Sequence, residues 1–214
     1  VVASSTLPTS FARAFKDAGV PVVHTFGRFT SLPDVHVVGI DNIECGRMAA
    51  RELVARGYLK VAYLGGPSDA TSAQDRHRGF MEEIALHSNV RATASYSTGY
   101  SFEAGRAEML LQLENSPADA YFCGDDVLSI GALSAIREHG MEPAKDIGVI
   151  GLNDMEIAKW ESINLTTIHQ PIKQIISASV DLIEEMLTEP DRYPEARIFS
   201  CKVIERKTLR PRRQ

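Results

Sequence analysis

An α/β fold with parallel sheets is predicted by three observations. Short apolar runs alternate with amphipathic stretches of about 12–15 residues, the signature of right-handed βαβ units. Several of those runs end abruptly in Gly, Thr, Asp or Asn. The residues with ligand chemistry follow the runs: a polar group between Ser68 and Arg76, then Tyr100, Asp125 and Asn153. Carboxyl ends of parallel strands share one edge of a sheet, so these four loops are expected to face one crevice.

Residues 1–3 read as the end of a buried strand and 4–9 as a polar loop. Residues 10–18 form a helix with Phe11, Ala14, Phe15 and Ala18 on one face, stopped by Gly19. A strand over 21–25 and a loop through Arg28 and residues 31–34 lead to a strand over 35–40. Asp41-Asn42 caps a helix over 43–56, with Met48, Ala49, Leu53 and Val54 as its stripe and Gly57 as its stop. Three further units follow. The strand over 60–64 runs through Gly65-Gly66-Pro67-Ser68 to a helix over 75–87, and the strand over 92–97 leads through Thr98-Gly99-Tyr100 to a helix over 101–114. The strand over 120–123 leads through Gly124-Asp125-Asp126 to a helix over 127–139. The apolar run 147–151 delivers Leu152-Asn153-Asp154 and is soon followed by a second extended run, 165–169, closed by Gln170-Pro171. That stretch reads as a pocket wall and then a hinge. A helix over 172–187 and an extended segment over 198–203 complete the chain.

Composition excludes several function classes. At 214 residues, 44% apolar and 24% charged, the chain has the makings of a sizeable globular core. A net charge of −5 and a pI near 5.7 argue against nucleic-acid binding by this chain itself. The basic stretch 202–213 is interrupted by Glu205 and Pro211 and reads as a frayed, solvated tail. Cys45, Cys123 and Cys201 are odd in number and far apart, which fits reduced thiols in the cytoplasm. The six histidines form no HxxxH or HExxH spacing, so no metal site is expected. No run is long enough to span a membrane. The start at Val1-Val2-Ala3 reads as the interior of a strand, and the sequence as a fragment.

Gly65-Gly66-Pro67 lacks both the GxGxxG spacing and the P-loop lysine and reads as a strand-to-loop turn. For Arg76, placed at a helix start, two readings stand. It pairs with Asp75 or Glu82, or it presents a guanidinium fork to a carboxylate, a phosphate or vicinal hydroxyls. Tyr100 either caps the sheet edge or offers a stacking platform. One of Asp125 and Asp126 is expected to cap the following helix, leaving the other for a ligand; Asn153 and Asp154 divide in the same way between turn and pocket. No catalytic set assembles: there is no GxSxG elbow, and the paired carboxylates point apart.

Several stretches together resemble one family. These are Gly39-Ile40-Asp41-Asn42 with Gly46, Gly57-Tyr58, residues 61–66, Arg76-His77-Arg78-Gly79-Phe80, residues 122–126 with Gly131-Ala132-Leu133, residues 147–154 and Leu165-Thr166-Thr167-Ile168-His169-Gln170-Pro171, with Val203-Ile204-Glu205-Arg206 and Thr208 at the close. In this order they are similar to the effector-binding region of the LacI/GalR regulators. The resemblance implies two Rossmann-like subdomains of periplasmic-binding-protein-like type I. Residues 1–40 with 170–199 would form an incomplete N-terminal subdomain and 41–169 with 200–214 the C-terminal one, with an effector cleft between them. It implies a homodimer, with the helix over 127–138 and that over 10–18 as its surfaces. Operator DNA would be bound through an N-terminal helix-turn-helix headpiece that this sequence lacks. Arg76 matches the family's ligand-contacting arginine, Tyr100 its aromatic position and Asp125 its polar contact, while Asn153 stands where an aspartate is usual. Ser72 and Asp154 complete the expected ligand set. Asn153 and Phe26, near another acid position, depart from the pattern and leave room for a sugar, a sugar phosphate or an acid as effector. No cofactor is implied. A periplasmic solute-binding protein is the alternative, and an enzyme a more distant one.

Overall fold

The computed structural model describes residues 1–3, 8–29, 35–190 and 192–212. The expected loop residues 4–7 and 31–34, and Arg213, lie outside the described residues. The chain divides into two compact units, Val1–Asn42 with Gln170–Cys201, and Ile43–His169 with Lys202–Gln214.

The first unit holds a parallel four-stranded sheet in the order β1-β2-β3-β9: β1 Val2–Ala3, β2 Val23–Thr25, β3 His36–Ile40 and β9 Ala196–Phe199. Val23, Val38 and Ile40 are almost wholly buried, as strands covered on both faces require. Helices α1 (Thr9–Asp17) and α6 (Ile172–Thr188) accompany them. Ile175, Ser179 and Leu182 form the buried stripe of α6 at helical spacing, and Ser179 shares a hydrogen bond of 3.1 Å with Thr25.

The second unit is a six-stranded sheet in the order β10-β8-β7-β6-β4-β5. Its strands are β4 Lys60–Gly65, β5 Arg91–Tyr96, β6 Ala120–Cys123, β7 Gly148–Asn153, β8 Thr166–His169 and β10 Lys202–Ile204. All neighbours are parallel except β10, which runs antiparallel to β8. The connecting helices are α2 Asn42–Ala55, α3 Thr71–Ile84, α4 Phe102–Asn115 and α5 Asp126–Glu138. Side chains alternate across the sheet: Leu64, Tyr121, Cys123 and Val149 pack with Met109, Leu128, Leu133 and Ile136 of α4 and α5. On the other face Tyr63 and Phe122 meet Phe80 of α3 at ring separations of 6.4 and 5.9 Å.

Three expectations are corrected here. The single extended segment over 198–203 is two strands, β9 and β10, one in each sheet. Only Ser200 and Cys201 separate the two strands, and the pattern of apolar residues does not show that the chain changes sheets there. Helix α3 starts at Thr71 rather than Asp75, because a turn over residues 67–70 leads in and Gln74 Nε2 donates to the Ser68 carbonyl at 3.0 Å. Arg76 is therefore the sixth residue of the helix, clear of the unfavourable first turn.

The C-terminal stretch is not frayed. Thr208 is 2% and Leu209 4% exposed. The Thr208 hydroxyl donates to the Val149 carbonyl at 2.7 Å and accepts from the Thr166 amide at 2.9 Å. The Arg210 guanidinium lies 3.7 Å over the Tyr58 ring, and Arg212 pairs with Glu52 at 2.7 Å. Arg206, Arg210 and Arg212 of the tail have specific acceptors far back in the sequence, on Leu165 and Asp154, on Gly57 and on Glu52.

Candidate functional site

The second unit's sheet presents the carboxyl ends of β5, β4, β6, β7 and β8 along one edge, and the hydrogen bonds there tie neighbouring loops together. After β4, the Gly65 carbonyl accepts from the Ser97 amide at 2.9 Å and the Ser97 hydroxyl at 2.8 Å, joining the loops that follow β4 and β5. Tyr100 lies against the backbone of Gly66: a Cβ built there would sit 2.2 Å from Tyr100 Cζ. The ring is 38% exposed, so it remains accessible as a stacking face.

Arg76 reaches the end of β6. Its Nη1 donates to the Gly124 carbonyl at 2.6 Å, and the residue is 8% exposed. Behind it, His77 stacks on Tyr63 at 5.7 Å with planes 11° apart, and its Nδ1 lies 2.8 Å from the Tyr96 hydroxyl. Burial lowers the His77 pKa, which keeps the ring neutral. This aromatic layer was not anticipated from sequence; its members come from three elements, and only their period-2 and helical positions could have brought them together. Ser72, in the first turn of the same helix, is half-buried.

Asp125 is the N-cap of α5, accepting from the Leu128 amide at 2.8 Å. Burial raises its pKa, against the pull of the Leu128 N–H and of Arg76. Its neighbour Asp126 is wholly buried rather than offered to a ligand: one oxygen accepts from the Thr167 hydroxyl at 2.5 Å and the other from the Met155 amide at 2.7 Å. Burial pushes its pKa up to about 6, while those two donors pull it back.

At the end of β7, Asn153 and Asp154 both have positive φ, 126° and 58°. An L residue at φ near 126° is strained by roughly 1–3 kcal/mol, which surrounding bonds must hold in place. Those bonds are the Met155 contact with Asp126 and the carboxylate of Asp154. Arg206 Nη2 donates to Asp154 Oδ1 at 2.5 Å, and His169 Nδ1 lies 3.0 Å from Oδ2. His169 was read from sequence only as part of an extended run and Arg206 as part of the basic tail; the register that places Asn153 opposite His169 brings that ring to the loop. Along the edge, Arg76, Asp125 and Asn153 thus occupy the ends of adjacent strands β6 and β7, and Tyr100 stands further along beside β4. Asp154 is bound into an ion pair.

Among the described residues no group of three or more His, Cys, Asp or Glu side chains could hold a metal ion, and no helix is long and apolar enough to cross a membrane.

Residues 50–209 match the periplasmic binding protein-like domain. The transcriptional repressor PurR of Aliivibrio salmonicida is 30% identical over 177 residues, 79% of this chain and 52% of the relative. The transcriptional regulator CelR of Thermobifida fusca is 30% identical over 184 residues, 82% of this chain and 54% of the relative. The chain thus spans about half the length of these relatives. Among solved structures, a CelR–cellobiose complex superimposes with a TM-score of 0.87 at 26% identity, covering 97% of this chain and 64% of that one. The chain belongs to the family of periplasmic-binding-protein-like domains, as a LacI/GalR-type effector-binding region.

Proposed function

We propose that this chain is the effector-binding and dimerising region of a bacterial DNA-binding transcriptional regulator working in the cytoplasm. The observation that carries the reading is the convergence of Arg76, Asp125 and Asn153 at the ends of two adjacent strands, with Tyr100 on the same edge. A guanidinium, a carboxylate, an amide and an aromatic face at one sheet edge suit a small polar molecule, a sugar or sugar derivative. Effector binding would shift the regulator between states of different DNA affinity, by as much as its differential affinity for them. Operator DNA would be engaged by a helix-turn-helix segment of the whole regulator, since this chain carries a net charge of −5. A periplasmic solute-binding protein would share the fold, but relatives at 30% identity are named as regulators.

Thermal shift with cellobiose, ribose, sugar acids, sugar phosphates and purines tests the reading. At a ligand concentration near 100 Kd the stabilisation is about 2.7 kcal/mol, a rise of roughly 5–10 °C for a chain of this size. Arg76→Met is expected to abolish that rise, measured from the variant's own unliganded Tm, which drops because the Gly124 carbonyl loses its donor. No shift with any of these compounds, or an undiminished shift in the variant, would count against the proposal.

Dimerisation is assigned to α5, together with α1. A groove along α5 is lined by Phe102, Ile130, Ser134, Arg137, Glu138 and Ile163, and Phe102 is 37% exposed. Phe11 of α1 is 58% exposed. Ile130→Glu is expected to convert the protein from dimer to monomer in sedimentation at micromolar concentration, and a wild-type monomer would disprove the assignment.

A further inference from the structure

We propose that Asp154 is a hinge clamp: its carboxylate fastens both the strand by which the chain leaves the second unit and the segment by which it returns, and so couples the loop at the end of β7 to the freedom of the hinge. The clamp works in the unliganded chain, whatever the effector. The chain leaves the second unit after His169 and comes back to it at Lys202. Those two residues stand opposite each other: β8 ends at His169, β10 begins at Lys202, and the strands pair antiparallel with Lys202 facing His169 and Ile204 facing Thr167. The ladder is only three residues of β10 long and lies at the edge of the sheet. A ladder so short opens readily from its end, so side-chain bonds across it carry weight.

Asp154 supplies those bonds to both segments. Its Oδ2 faces His169 Nδ1 at 3.0 Å, and because a carboxylate only accepts, that nitrogen carries the hydrogen. Its Oδ1 accepts from Arg206 Nη2 at 2.5 Å. Arg206 follows two residues after β10 and is tied back to the start of β8: Nη1 donates to the Leu165 carbonyl at 2.8 Å, and the backbone amide donates to Thr166 Oγ1 at 3.0 Å. The outgoing strand is thus held at its last residue by Asp154 directly and at its first residues through Arg206. The side chains of Arg206 and Asp154 are 13% and 11% exposed, so water competes weakly for the pair.

The carboxylate is itself held in place. Asp154 sits at φ 58° after Asn153 at φ 126°, and the next amide, of Met155, donates to the buried Asp126 at 2.7 Å. The other oxygen of Asp126 accepts from Thr167 of β8 at 2.5 Å. The loop after β7 is therefore fastened to β8 at two points, through Asp126 and through Asp154. Hinge motion is absorbed by a few residues at the ends of elements. Gln170 and Pro171 follow His169 directly, and Ser200 and Cys201 precede Lys202, so a turn at either crossing starts from a segment that Asp154 holds. A ligand drawing on the end of β7 acts on the same loop, and by linkage the state of the clamp changes its affinity.

Hydrogen exchange of the whole unliganded chain, followed by mass spectrometry, separates a clamp from a salt bridge that only stabilises. Loss of a plain stabiliser speeds exchange throughout the unit, whereas loss of a clamp speeds it at the crossings. Asp154→Gly removes the carboxylate and suits the positive φ. It is expected to speed exchange about tenfold or more in peptides spanning 165–172 and 199–206, the effect of losing charge-assisted hydrogen bonds, with α4 (Phe102–Asn115) unchanged. His169→Phe serves if the glycine variant fails to fold. It releases the outgoing strand alone, because Arg206 keeps its carboxylate, and is expected to speed exchange in 165–172 more than in 199–206. Exchange unchanged at both crossings, or raised equally in α4, would overturn the clamp. Neither result touches effector binding, which the thermal-shift series tests separately.

Discussion

Gly79→Val is expected to lower the melting temperature by roughly 6–12 °C, or to leave the chain insoluble, since overpacking a tight contact costs about 3 kcal/mol at the upper end and each kcal/mol is about 2–4 °C at this size. Helices α2 and α3 touch backbone to backbone. A Cβ at Gly79 would lie 1.9 Å from the Ile43 carbonyl oxygen, and one at Gly46 would lie 2.1 Å from that of Arg76. No rotamer change relieves a clash with main chain, so the helices must separate. Arg76 is one turn ahead of Gly79 on α3, and any separation moves its guanidinium off the Gly124 carbonyl. Loss of effector response should accompany the loss of stability. Gly99→Ala is the control, because a Cβ there meets nothing within 4 Å. A melting temperature for Gly79→Val within about 2 °C of wild type, in differential scanning calorimetry, would show that α3 is free to shift.

The fold class was legible because each unit of the pattern carries its own punctuation. Ser101 and Asp125 cap α4 and α5 with side-chain oxygens, and Gly57 and Gly140, at φ 72° and 73°, follow the ends of α2 and α5. Where punctuation is missing, the reading slipped. Helix α3 starts from Ala70, which has no side chain to cap with, and its beginning was placed four residues late. The site was less legible than the fold. Loops after parallel strands could be named from the order of elements alone, which is why Arg76, Tyr100, Asp125 and Asn153 could be listed. The orientation of adjacent acids could not. Asp126 turns inward to Thr167, 41 residues on, and Asp154 turns to Arg206, 52 residues on. No local pattern encodes partners that distant; they follow from β8 and β10 closing the sheet beside β7.

Truncation after Glu205 is expected to unfold the second unit, and that outcome separates an integral C-terminal stretch from a solvated one. Loss of Arg206 leaves Asp154, at 11% exposure, facing only His169, at a cost of about 3–5 kcal/mol for a buried pair broken on one side. Leu209, 4% exposed, contributes about 2 kcal/mol of apolar burial. Arg56 is wholly buried, and its guanidinium donates both to Glu52 and to the Arg210 carbonyl; removing the tail strips one acceptor from a cation with no route to water. Glu52 in turn loses Arg212. These losses together approach the 5–15 kcal/mol that holds a typical domain folded. Circular dichroism and limited proteolysis of the truncated chain should report an unfolded or largely molten second unit, and a cooperative transition near the wild-type temperature would overturn the assignment. The basic residues of the tail are not equivalent, so point variants sharpen the result. Lys207 is exposed, and the bond from its position to Asn164 is made by its backbone amide. Lys207→Ala is therefore expected to melt with wild type, while Arg206→Met, which leaves the Asp154 carboxylate facing only His169, loses several kcal/mol.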